Sequence, residues 1–236
     1  MLRLRTFGGL TLSRGEENLT GAVTQRRRLA LLALLAVARE TGLSRDKLLA
    51  WLWPDSDAER ARHVLNQLLY AQRRQVGDAA LFTGQKTLRL NRAVMTTDVG
   101  EFLDAMERGA LEEGVGLYRG PFLDGFFLKG GVEFEQWVEA QRARFARQVL
   151  AALAALADRA AAVGAAGEVV RWRRQASELD PLDSTLALGL MRALAAAGDR
   201  PAALRHGRQH ADLLQTQLGL PVDERMTQLV EELRRP

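Results

Sequence analysis

Apolar positions change their spacing along the chain, and each change predicts an element. Leu2 and Leu4 alternate with arginines, and Phe7 to Leu12 follow around Gly8-Gly9, which predicts short strands. From Leu29 to Ala38 the chain is apolar on nearly every side. That pattern predicts a buried helix over 25–40, with Thr24 as its cap and Arg26, Arg27 and Arg28 in its first turn. Gly42 breaks the chain. Ser44 then caps a second helix to about Trp53, with Leu48, Leu49 and Leu52 inward, and Pro54 ends it.

The stretch Asp55 to Gly77 predicts one long amphipathic helix. Leu65, Leu68, Leu69 and Val76 recur at steps of three and four, so one side is buried. Ser56 and Glu59 have capping-box spacing, and Gly77 can supply the stop. The other side carries Arg60, Arg62, His63, Asn66, Gln67, Tyr70, Arg73 and Arg74. Such a face suits a helix laid against DNA, because arginine and amide groups pair with base edges and arginine also grips phosphate. The plainer alternative is a solvated amphipathic face. Leu81 to Leu90 then predicts two short strands around Gly84, with Leu88 and Leu90 inward and Lys86 and Arg89 outward. Strands, three helices and a hairpin in this order predict a winged helix-turn-helix with its recognition helix third.

Beyond residue 96 the pattern is helical. Asp98 and Glu101 have the spacing of a capping pair ahead of Phe102, Leu103 and Met106. LYRGPFLDGF, from Leu117 to Phe126, predicts a loop, and a long helix runs from about Val132 to Ala162. Gly164 and Gly198 lie 34 residues apart, each between alanine-rich helices, and ELDPLD (Glu178 to Asp183) separates the helix pairs. A 34-residue period of paired helices is the tetratricopeptide pattern, whose grooves bind peptides or proteins. A helical spacer or dimerisation unit is the competing reading. The expected fold is mainly α with a small β component: a winged helix-turn-helix domain over 1–96 and a helical tetratricopeptide-like domain over 97–236.

Composition narrows the function. Of 236 residues 47% are hydrophobic, enough for a packed core, and there is no cysteine, which excludes disulfides and thiolate metal sites. No apolar run has the length of a membrane span and no signal peptide opens the chain, so a cytoplasmic location is expected and no membrane partner. The net charge of +4 is uneven: residues 1–100 hold 16 Lys and Arg against 9 Asp and Glu, and the remainder hold 17 against 20. A basic first half fits a nucleic-acid face, and an acidic second half fits a protein-facing one.

Catalytic chemistry finds no motif. There is no phosphate-binding loop, no nucleophile elbow, and no enclosed carboxylate pair. His206 and His210 have the i, i+4 spacing of two metal ligands, but Arg205 and Arg208 flank them and no glutamate completes the motif. No cofactor, no metal and no enzymatic activity are expected. Trp51 and Trp53 read as packing residues, and Arg171, Arg173 and Arg174 as a solvated basic face.

The first part resembles the winged-helix effector domain of OmpR-type bacterial response regulators. SRDKLLAWLWPD, from Ser44 to Asp55, and Arg73-Arg74 carry the resemblance. Where that family usually has leucine this chain has Gln72, and where it often has a basic residue this chain has Ala71. No receiver domain is expected ahead of it. The second part resembles the bacterial transcriptional activation domain of SARP-like activators. It does so through Asp98 with Phe102, LYRGPFLDGF, EFEQWVEAQRARF (Glu133 to Phe145), ELDPLD, AGDRPAAL and QLGLPVDERMTQLVEEL (Gln217 to Leu233). Together these resemblances imply a sequence-specific transcriptional activator that binds repeated sites on double-stranded DNA and contacts RNA polymerase; because a single winged helix covers little DNA, two copies, a homodimer on DNA, are expected. The connection from Trp53 to Ser56 and the helical half are its polymerase-facing surfaces by resemblance. His63, Asn66, Gln67, Tyr70 and Arg74 are the expected base-edge contacts. Arg62, Arg73, Lys86 and Arg26, Arg27 and Arg28 are the expected phosphate contacts. Two alternatives stand beside this reading: an adaptor that has lost DNA binding and uses its helical repeats, and the regulatory front of a longer sensor.

Overall fold

A computed structural model describes residues 1–20, 25–76 and 81–235, with the side chains of 73–76 outside that description. The expected Thr24 cap and Gly77 stop lie outside the described residues. The chain divides into two compact units, Met1–Phe145 and Ala146–Pro236. The sequence expectation placed a domain boundary at 96/97.

In the first unit, β1 (Leu2–Arg5), β2 (Thr11–Arg14), β3 (Glu17–Asn18) and β7 (Met95–Thr97) form one sheet in the order β3-β2-β1-β7. β1 and β2 are antiparallel, with Leu4 opposite Leu12, whereas β1 and β7 are parallel, with Leu2 opposite Met95. A second sheet of β4 (Leu43–Ser44), β5 (Phe82–Thr83) and β6 (Thr87–Leu90) has the order β4-β6-β5. The strand at 43–44 was not expected; two residues are too few to leave a periodic signal. Phe82 lies opposite Leu90, and Gly84 makes the turn at φ +84°, where a Cβ would stand 2.0 Å from the Thr87 carbonyl oxygen.

The helices are α1 (Arg26–Ala38), α2 (Arg45–Leu52) and α3 (Ala58–Val76). Leu29 to Ala36 are all buried, as a helix apolar on every side requires. Ser44 Oγ accepts from the Lys47 N–H at 3.3 Å and caps α2 as expected. The expected Ser56 cap of α3 is corrected. Asp57 fills that role, with its carboxylate accepting from the Glu59 and Arg60 N–H groups at 3.3 Å each. Both residues are good caps, and the turn after Pro54 decides between them.

α4 (Asp98–Glu107) also corrects its expected cap. Thr97 Oγ1 accepts from the Gly100 N–H at 3.1 Å, and the Asp98 carboxylate turns inward. It accepts from Thr6 N at 2.8 Å, Thr6 Oγ1 at 2.7 Å, Phe7 N at 3.0 Å and Val99 N at 2.8 Å, tying the end of β1 to α4. Arg39, Asp104, Glu107 and Arg92 form an ion-pair chain outside this core. The Glu107 carboxyl lies below its ordinary range chiefly because Arg39 donates to it. After α5 (Leu111–Leu117), the 118–131 loop buries Phe122, Leu123 and Phe126. Gly8 permits a close approach here: its φ is +71°, and a Cβ would meet the Arg119 carbonyl oxygen at 2.8 Å. α6 (Val132–Ala162) has the bounds its pattern predicts. Phe7, Phe102, Phe122 and Phe145 meet edge to face at centroid distances of 5.3–6.2 Å.

In the second unit, α7 (Ala166–Leu179), α8 (Ser184–Ala196), α9 (Arg200–Leu218) and α10 (Glu224–Arg234) follow the end of α6. α8 packs against α7, α9 and α10 around Leu188, Leu190, Met191, Leu194, Ala203 and Met226. Gly164 and Gly198 turn the chain at φ +71° and +87°, between helices, at the expected 34-residue interval. Asp183, Asp199 and Asp223 cap α8, α9 and α10. The fold is mainly α with a small β component, as expected.

Candidate nucleic-acid interface

α3 has two sides. Ala61, Leu65, Leu68 and Leu69 are buried, joined by Gln72, which has no exposed surface. Arg62, His63, Asn66, Gln67 and Tyr70 are exposed, and Tyr70 keeps 64% of its surface free. The helical step of 100° per residue places these five on one face. Arg73 and Arg74 lie within α3, and their side chains are outside the description. At the neighbouring hairpin, Lys86 is exposed beside the Gly84 turn.

The polar groups on this face are partly ordered by one another. Gln67 Nε2 lies 2.8 Å from His63 Nε2; the amide nitrogen donates, so the imidazole Nε2 accepts and its proton sits on Nδ1. Arg45, the first residue of α2, donates through Nη1 to Asn66 Oδ1 at 2.9 Å and through Nε to the Gln85 carbonyl at 2.7 Å. Sequence reasoning passed over Arg45. It read the SRDKL stretch as a helix start and as part of the OmpR-type resemblance, and the partners of Arg45 lie 21 and 40 residues away.

Two of the three arginines of α1 also make contacts within the unit. Arg26 donates to the Phe127 carbonyl at 2.6 Å, with its guanidinium 5.8 Å from the Phe126 ring. Arg27 donates to the Leu52 carbonyl at 3.1 Å and lies 5.9 Å from the Trp53 ring. Both therefore anchor other segments of the unit while staying exposed. Arg89, expected outward, is half-buried and donates to the Glu40 carbonyl at 2.5 Å. Trp53 is buried, and Trp51 packs between Lys47 at 4.6 Å and Trp137 at 5.8 Å, as packing residues should.

Gln72 differs from the rest of the buried stripe. Neither Oε1 nor Nε2 has a hydrogen-bond partner among the described residues.

In the second unit the two histidines of α9 serve packing. His210 Nδ1 donates to the Pro181 carbonyl at 3.0 Å, which leaves Nε2 to accept from Ser184 Oγ at 3.0 Å. His206 lies 3.3 Å from Ser177 Oγ, and burial, His210 and Arg174 lower its pKa from the ordinary 6.5. Among the described residues no group of three His, Cys, Asp or Glu could hold a metal ion. Arg171 pairs with Glu168 at 2.5 Å and Arg173 with Asp158 at 2.9 Å, so two of the three arginines of this cluster are salt-bridged. Among the described residues no helix is long and apolar enough to cross a membrane.

No curated protein matches the chain. A solved structure of Mycobacterium tuberculosis EmbR in complex with a low affinity phosphopeptide is similar in fold, with a TM-score of 0.64 and 21% identity. The likeness covers 100% of this chain and 66% of that one, so this chain spans just under two thirds of that protein's length. The model of the bacterial transcriptional activator domain matches residues 90–234. That match covers more than half of the sequence, and the chain belongs to the bacterial transcriptional activator domain family.

Proposed function

We propose that this chain is a sequence-specific, non-enzymatic, DNA-binding transcriptional activator of the cytoplasm. The observation that carries the reading is the exposed polar face of α3, from Arg62 to Tyr70, set beside the Lys86 hairpin in a chain of this family. In this reading residues 1–96 form the DNA-facing part and residues 97–236 the activation part. α3 enters the major groove, with His63, Asn66, Gln67, Tyr70 and Arg74 toward base edges and Arg62 and Arg73 toward phosphate. Lys86 holds the flanking backbone. Arg26, Arg27 and Arg28 complete the phosphate set, and Arg26 and Arg27 also anchor segments within the unit. A single winged helix covers little DNA, so two copies occupy a repeated site, and the helical part contacts RNA polymerase.

Selection of bound duplexes from a random pool at near-physiological salt tests this reading. The reading predicts enrichment of a short motif in tandem at fixed spacing. If the folded protein enriches no sequence, the reading fails and the adaptor alternative replaces it. Lys86→Ala should weaken binding evenly across sequences and lower the salt slope by about one ion.

A further inference from the structure

Arg45 stands where three elements meet. Its backbone N–H donates to the Lys86 carbonyl at 3.2 Å, its Nε to the Gln85 carbonyl at 2.7 Å and its Nη1 to Asn66 Oδ1 at 2.9 Å. A guanidinium carries donors only, so the Asn66 atom it meets is the amide oxygen. The contact therefore fixes which way round the Asn66 amide sits. The oxygen faces α2 and the hairpin, and the NH2 end is left for the exposed side. Asn66 itself is exposed, so that NH2 group is available to a ligand.

An asparagine free to turn can offer a base edge either end of its amide. Held as it is here, Asn66 offers donors. The bases differ sharply in how they answer a donor in the major groove. Guanine presents two acceptors, N7 and O6; adenine presents N7 and thymine O4; cytosine presents only its N4 amino donor. We propose that Arg45 is a positioning residue for sequence reading: it locks Asn66 as a donor, so that the base facing Asn66 is selected for acceptors, guanine first, and cytosine is rejected. The inference rests on the DNA-binding reading of α3. It goes beyond that reading by assigning a role to a residue of α2 and a chemical sense to one base position. The hairpin takes part as well, because the Gln85 and Lys86 carbonyls hold Arg45 in place.

The test repeats the duplex selection with the full chain and with the Asn66→Ala, Arg45→Ala and Arg45→Lys variants, each checked for folding by thermal melting. Asn66→Ala identifies the position that Asn66 reads, because preference there flattens. In the unaltered chain that position should be depleted of cytosine on the order of tenfold. Arg45→Ala should readmit cytosine at that position and leave the other positions unchanged. Arg45→Lys keeps the charge for phosphate but not the fork that spans the Gln85 carbonyl and the Asn66 amide. It should readmit cytosine with little loss of overall affinity, and it serves as the deciding variant if Arg45→Ala does not fold. Three results overturn the inference. One is an Asn66-dependent position that favours cytosine in the unaltered chain. Another is the absence of any Asn66-dependent position. The third is Arg45 variants that weaken all sequences evenly with preferences intact, as a plain phosphate contact would. If the unaltered chain enriches nothing, DNA binding itself fails and takes the inference with it, which separates the two failures.

Discussion

Gln72→Leu should stabilise the first unit. Gln72 lies on the buried side of α3 with no exposed surface, and neither end of its amide has a hydrogen-bond partner among the described residues. Burying an uncompensated amide costs about 1–3 kcal/mol on the scale of protein substitutions. Leucine has no polar group to desolvate and continues the stripe of Leu65, Leu68 and Leu69. The expected gain is therefore about 1–3 kcal/mol, equivalent to a rise in melting temperature of roughly 2 to 12 °C for a unit of this size. Three of the four tryptophans, Trp51, Trp53 and Trp137, belong to this unit, so tryptophan fluorescence during denaturant unfolding reports mainly on it. The midpoint should move to higher denaturant with the slope unchanged. Gln72→Met, unbranched like glutamine and without the amide, should move it the same way. If both substitutions leave the midpoint unchanged or lower it, the amide is satisfied in the folded protein and the reasoning fails.

Other expectations concern different parts of the chain. Asp98→Ala orphans the Thr6 and Phe7 N–H groups and should destabilise the first unit by about 3 kcal/mol or more, measured in the same unfolding experiment. Gly84→Ala places a methyl against the Thr87 carbonyl at positive φ, so hydrogen exchange of the 82–90 amides should accelerate while that of α1 is unchanged. His206 titrates below its ordinary value in the folded chain, so the unfolded chain takes up its proton first. Its contribution to stability is then complete above about pH 7.5 and is lost progressively as pH falls through 6.5 and below. Protection of the α9 amides, taken relative to intrinsic exchange at each pH, should fall over that window in the unaltered chain, and His206→Gln should flatten the dependence. An equally steep dependence in the variant would assign it to another group.

The sequence made the helices legible because their burial is periodic. α6 has the bounds its pattern predicts, and the uninterrupted apolar run of α1 is buried throughout. Caps were less legible. Ser56 and Asp57 are adjacent and both suitable, and the structure uses Asp57. Asp98 has the spacing of a cap and instead feeds two strand-end N–H groups 91 and 92 residues away. No local pattern encodes such a partner. The candidate interface divides in the same way. The exposed face from Arg62 to Tyr70 follows from helical spacing alone. The anchoring of Arg26 at Phe127 and the bridging by Arg45 depend on contacts between distant segments.

The parallel pairing of β1 with β7 also constrains how the protein is made. During synthesis β1 can pair with β2 early, but its other edge has no partner strand until residues 95–97 follow. Phe7 waits longer still, because Phe102, Phe122 and Phe145 surround it. At roughly 5–20 residues per second, that edge of β1 waits on the order of ten seconds for its partner. A nascent chain stalled before residue 145 would carry α3 in an unfinished unit, a state that chaperones rather than DNA are suited to bind.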